Sequence, residues 1–118
     1  MSASPEAHWR DALAEGRLLL QRATGSGATF FPPRLIEPET GETDFEWIEA
    51  CGLGIVYSVT MIAPKPPAAP YNVVLVDLDE GPRLMSRVEG ADEIPIGLRV
   101  RARIDRTAAE SILLFERA

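Results

Sequence analysis

Cysteine is almost absent. Cys51 is the single one in 118 residues, so no internal disulfide and no four-cysteine zinc site can form. A lone thiol fits a reducing compartment, and a cytoplasmic location is expected. Long apolar runs are absent too. The longest are about four residues, as in 73–76, against the roughly 20 that a membrane-crossing helix needs. The opening residues MSASPEAHWRD have no charged start followed by an apolar stretch, so no signal peptide is expected. Also missing are a phosphate-binding glycine loop, an internal repeat and a nucleophile beside a base, and the chain reads as no enzyme. The remaining composition is that of a globular chain, 46% apolar and 25% charged, sized for one domain with at most a subdomain attached.

The net charge is −6, which disfavours unspecific contact with phosphate backbones. The charges are unevenly placed. Residues 37–49 hold six acids and no base, without calcium-loop spacing, and read as a solvated acidic face. Residues 99–106 hold four arginines against Asp105.

Ser4-Pro5-Glu6 is a helix start, with a capping serine, proline at the first position and an acid at the positive end of the dipole. Gly16 is the stop. Trp9, Ala12 and Leu13 share one narrow apolar face, so this helix must dock on something to be stable. Leu18 to Gln21 is a short strand, Thr24 to Gly27 a turn, and Thr29 to Phe31 a second strand stopped by Pro32-Pro33. Glu37 to Asp44 is another tight turn. Together residues 17–46 make a small subdomain with two knuckles.

Five further strands are expected at Leu53–Ile62, Asn72–Leu78, Leu84–Val88, Leu98–Ile104 and Ser111–Phe115. Gly52 and Gly54 suggest a bulge. Residues 63–71 carry four prolines and make a stiff exposed loop. In the fourth strand Leu98, Val100, Ala102 and Ile104 face one way, and Arg99, Arg101 and Arg103 the other. Short strands at this spacing favour a small barrel, which removes free edges.

The order of segments then resembles a known family. It runs from a Trp9 helix through GRLLLQRATGSGATFFPPRLIEPETGE and GLGIVYSVTMI to VVLVDLDEGPRLMSRVEG and IGLRVRARI. Its most specific parts are Phe31-Pro32-Pro33-Arg34, the Gly54–Thr60 stretch, and Leu78-Asp79-Glu80-Gly81 with Arg83. They are similar to the acyl-CoA-associated OB-fold family called domain-of-unknown-function family thirty-five, in which a helix and a rubredoxin-like zinc ribbon precede an OB barrel. The resemblance implies a mostly β chain: a helix over 1–16, a ribbon over 17–50 and a five-stranded OB barrel over 51–118. In the family two cysteine pairs hold zinc. Here their positions fall on Ala23, Ser26, Glu37 and Thr40, which leaves one carboxylate among four places, so zinc is expected to be absent.

The resemblance further implies a non-catalytic partner of a thiolase-type enzyme in lipid, steroid or polyketide metabolism. Arg34, Arg83, Arg99, Arg101 and Arg103 are candidates to meet a CoA phosphate or an acidic partner. Trp9, Leu13, Phe30 and Phe31 are candidate apolar contacts with that partner. No residue is expected to be catalytic; Asp77, Asp79 and Glu80 read as a strand end and turn, and His8 as a surface histidine. The alternatives are a single-stranded nucleic-acid OB module, disfavoured by the acidic balance, and a stand-alone binder of a small ligand such as an acyl-CoA. A homodimer through residues 1–45 is the further option.

Overall fold

A computed structural model describes residues 4–91, 93–107 and 109–118. Helix α1 (Pro5–Ala14) begins where Ser4 Oγ accepts the Ala7 N–H at 3.1 Å. It ends where the N–H groups of Glu15, Gly16 and Arg17 turn back onto the carbonyls of Ala12 and Leu13. Ala12 and Leu13 form its buried stripe. No helix among the described residues is long and apolar enough to cross a membrane.

The helix rests on a three-stranded antiparallel sheet of order β2–β1–β3, made of β1 (Leu19–Ala23), β2 (Thr29–Phe30) and β3 (Phe45–Glu49). Trp9 stacks on Phe31 and His8 on Trp47, with ring centroids 5.5 and 4.7 Å apart. Strand β3 corrects the sequence reading, which ran the acidic stretch through it as one solvated face. Glu46 lies opposite Arg22 in register, and the two meet in an ion pair. Glu49 takes Arg17 Nε at 2.7 Å, and Glu37 is buried. Glu46 and Glu49 are thus paired with bases from β1 and the segment before it, and Glu37 with backbone N–H groups.

The second sheet has the order β6–β5–β4–β8–β9–β7. Its strands are β4 (Leu53–Ile62), β5 (Tyr71–Leu78), β6 (Arg83–Ser86), β7 (Val88–Glu89), β8 (Arg99–Asp105) and β9 (Ile112–Arg117). Only Arg87 separates β6 from β7. One run of chain therefore pairs antiparallel with β5 at its start and parallel with β9 at its end, and closes the sheet into a five-stranded OB barrel. At the crossover the Asn72 side chain substitutes for a strand, giving Nδ2 to the Val88 carbonyl and accepting the Val88 N–H, each at 2.8 Å.

The barrel core is Val56, Val74, Val76, Leu78, Leu84, Val88, Val100 and Phe115, joined by Leu20 from β1. Each such burial supplies roughly 1.5–3 kcal/mol. Because Leu20 belongs to this cluster, and Phe31, Ile48 and Ala50 pack against it, ribbon and barrel share one interior. The expected bulge sits elsewhere than Gly52–Gly54. Register shifts between Val56 and Ser58, leaving Tyr57 as the extra residue. Gly54 answers a different need: a Cβ there would lie 2.7 Å from the Asp77 carbonyl oxygen and from Val76 Cγ1.

Candidate functional site

The outer wall of the barrel carries exposed side chains from β4, β5, β6 and β8. On that wall Ile55 lies between Asp77 of β5 and Arg99 of β8 in register, and Asp77 in turn faces Arg83 of β6. The bulge turns Tyr57 outward beside this row. Arg83 lies flat over the Tyr57 ring, its Cζ 3.4 Å from the centroid, while Asp77 grips its far side at 2.6 and 3.2 Å. Arg99 makes the matching two-pronged contact with Asp79, both distances 2.6 Å.

These contacts set the electrostatics. The Arg99 hydrogen bond holds the Asp79 carboxyl below its usual value, and the Asp77 hydrogen bond raises Arg83. Beside the paired charges stand exposed apolar side chains: Met85 is 71% exposed, Tyr57 50% and Ile55 43%. They are the candidate contacts of this wall.

The candidate residues divide accordingly. Arg83 and Arg99 are each engaged by an aspartate of this chain while remaining partly exposed. Arg101 and Arg103 point outward and exposed on β8. Arg34 is exposed, its backbone fixed by buried Gln21, whose amide accepts the Arg34 N–H at 2.6 Å and donates to its carbonyl at 2.8 Å. Leu13 and Phe30 are 3% and 7% exposed, so they face this chain's own interior and not a partner, another correction. Trp9 and Phe31 are half-buried against each other, and the Trp9 indole N–H has no acceptor. A hollow of about 450 Å³ near the chain end is lined by both Arg117 and Glu93, charges of opposite sign.

Tyr57 and Met85 were not singled out in the sequence. The outward alternation along β4 and β6 is the signal that finds them.

The zinc positions of the family do not suit a metal here. Ala23 is buried and offers no donor. Ser26 and Thr40 bring hydroxyls, and the Glu37 carboxylate is occupied by the N–H groups of Glu39 and Thr40. The Thr40 contact keeps Glu37 ionised below the usual carboxyl range, and contacts from Ser26 do the same for Glu42. Among the described residues no three His, Cys, Asp or Glu side chains converge as metal ligands.

Residues 47–105, from within β3 through β8, match the family described as the ChsH2 C-terminal OB-fold domain. The chain is 38% identical over 100 residues to the probable enoyl-CoA hydratase alpha subunit of Thermomonospora curvata. It is 31% identical over 106 residues to the 3-oxo-4,17-pregnadiene-20-carboxyl-CoA hydratase alpha subunit of Mycobacterium tuberculosis. The matches cover 80% and 86% of this chain but 31% and 34% of those proteins, so it spans about a third of their length. Among solved structures it resembles a chain of the Ltp2-ChsH2(DUF35) aldolase, with TM-score 0.83 and 31% identity over 98% of this chain and 96% of that one. A DUF35 protein of unknown function from Sulfolobus solfataricus shares the fold at TM-score 0.71 and 18% identity, over 95% of this chain and 84% of that one.

The expectation of a chain that is no enzyme is thereby overturned, since these relatives are named as hydratase subunits and as an aldolase. With the family match, the 31% identity across nearly the whole of a solved relative and the closed barrel in agreement, the chain belongs to the DUF35 family of OB-fold proteins.

Proposed function

We propose that this chain is the DUF35 component of a catalytic complex that processes acyl-CoA thioesters in lipid or steroid metabolism, seated in the cytoplasm on a thiolase-type enzyme. The observation that carries this reading is the correspondence, over 98% of this chain, with a chain of an aldolase whose name joins Ltp2 to ChsH2(DUF35). The hydratase names of the curated relatives support acyl-CoA chemistry from a second direction.

The docking surface in this reading is the wall of Ile55, Tyr57 and Met85. Its charges are already paired within the chain, so burying them against a protein costs less than burying free ions. Arg34, Arg101 and Arg103 keep exposed guanidinium groups for acidic partner groups or a CoA phosphate. The ribbon braces the barrel through Leu20 of β1, with helix α1 resting on the ribbon sheet.

The test is co-purification of the tagged full chain from native extract, with the captured protein sequenced and the complex assayed for retro-aldol cleavage and hydration of acyl-CoA substrates. A thiolase-type protein in fixed ratio, active only in the complex, supports the proposal. A chain that elutes alone from extract, or whose removal leaves the activity intact, overturns it.

A further inference from the structure

The ribbon carries two tight turns of the same build. In the first, Ala23 N–H donates to the Ala28 carbonyl at 2.9 Å and Gly27 N–H to the Ala23 carbonyl at 2.8 Å. In the second, Glu37 N–H donates to the Glu42 carbonyl and Gly41 N–H to the Glu37 carbonyl, both at 2.9 Å. Successive backbone N–H groups in such turns form a concavity that takes an anion. Each turn is filled by a carboxylate of this chain. Within the second turn, Glu37 Oε2 accepts the N–H groups of Glu39 and Thr40. Glu42 reaches from the second turn into the first, where its Oε2 accepts the Gly25 N–H at 3.0 Å and the Ser26 N–H at 3.2 Å.

The fit is tight. A Cβ built on Gly25 would stand 2.6 Å from Glu42 Oε2, so the carboxylate occupies the space that a side chain at position 25 would need. Glu42 is itself held, its N–H donating to Thr40 Oγ1 at 3.3 Å. The two turns whose family positions supply zinc ligands are thus joined by a carboxylate two residues beyond the last of those positions.

We infer that Glu42 is the latch that joins the two knuckles in place of a metal, so that the ribbon is ordered, and the chain competent to assemble, without zinc. Glu37 fills its own turn, whereas Glu42 crosses between the turns, beside the Thr24 N–H and hydroxyl that both donate to the Asp44 carbonyl.

Amide exchange and thermal melting of the full chain test this. Exposing the wild-type chain to a strong chelator should leave its melting temperature and exchange pattern unchanged. Glu42→Ala should speed exchange at Gly25 and Ser26 by about tenfold or more, the scale of a lost charge-assisted hydrogen bond. Amides of Val74 and Val76 in the barrel should keep their rates. Glu42→Gln, which retains an acceptor oxygen, should fall between and serves as the folded comparison if the alanine variant does not accumulate. About one zinc per chain by elemental analysis, a chelator-induced fall in melting temperature, or unchanged Gly25 and Ser26 exchange in the Glu42 variants would each overturn the inference.

Discussion

Arg99 and Asp79 form a two-pronged ion pair, 2.6 Å on each arm, that ties the first residue of β8 to the turn leaving β5. The pair predicts how the barrel responds to acid. Asp79 titrates below its usual value in the folded chain, so the stability it adds is complete above about pH 3.9, the unfolded value. That stability is lost as pH falls from there through the lowered folded value. In urea titrations the gap in midpoint between wild type and Asp79→Asn should be constant above about pH 5 and shrink below about pH 4. A gap that ignores pH would mean the pair contributes nothing.

The register of β8 is tested by two neighbours. Val100 is fully buried and Arg101 exposed. Val100→Asp places an unpaired charge in the core and should cost roughly 3 kcal/mol or more. Arg101→Asp should stay within about 0.5 kcal/mol, its penalty coming from the facing Glu116. Equal losses in chemical denaturation would refute this register.

Gly54 tests the close approach of β4 to β5. Gly54→Ala drives a methyl group against backbone, which cannot swing away, and should destabilise the chain by roughly 1–3 kcal/mol. A neutral result would show that the two strands separate easily there.

Contact at the barrel wall predicts a split between binding and stability. Tyr57→Ala and Met85→Arg should each weaken the partner complex by at least about tenfold, or 1.4 kcal/mol. Met85→Arg should leave the melting temperature of the free chain nearly unchanged, because Met85 is exposed. Matched losses of binding and stability would place the docking surface elsewhere.

Hydrogen exchange separates parts of the N-terminal half. Leu18, Leu19 and Leu20 are buried, and Leu20 lies in the barrel core, so the amides of β1 should be protected like those of Val74 and Val76. Around Leu35 and Ile36, 73% and 56% exposed, exchange should be fast. Fast exchange throughout β1 would show that it opens independently of the barrel.

Alternation and capping are local properties of the backbone, so helix α1 and the barrel strands could be read within a residue or two. The outward arginines of β8 were legible for the same reason. Strand β3 was not, because its acids hid the alternation, and what neutralises them lies on β1 and the segment before it. The bulge was placed at glycines, although the register shift that defines it needs the facing strand.

Residue types and their spacing by themselves determined that this chain is a mostly β protein with a capped helix, a stiff proline loop and no cysteine set for a metal. Those facts depend only on which backbone angles, hydrogen bonds and ligands each side chain permits. Tertiary structure decided which charges are spent and which are free. Arg83 and Arg99 are paired with aspartates six and twenty residues away, whereas Arg101 and Arg103 are exposed further along β8. It also decided that Glu42, unremarked in a run of acids, faces two amide groups seventeen and sixteen residues back. Electrostatic and hydrogen-bond energies fall with distance in space and not along the chain, and only folding sets that distance.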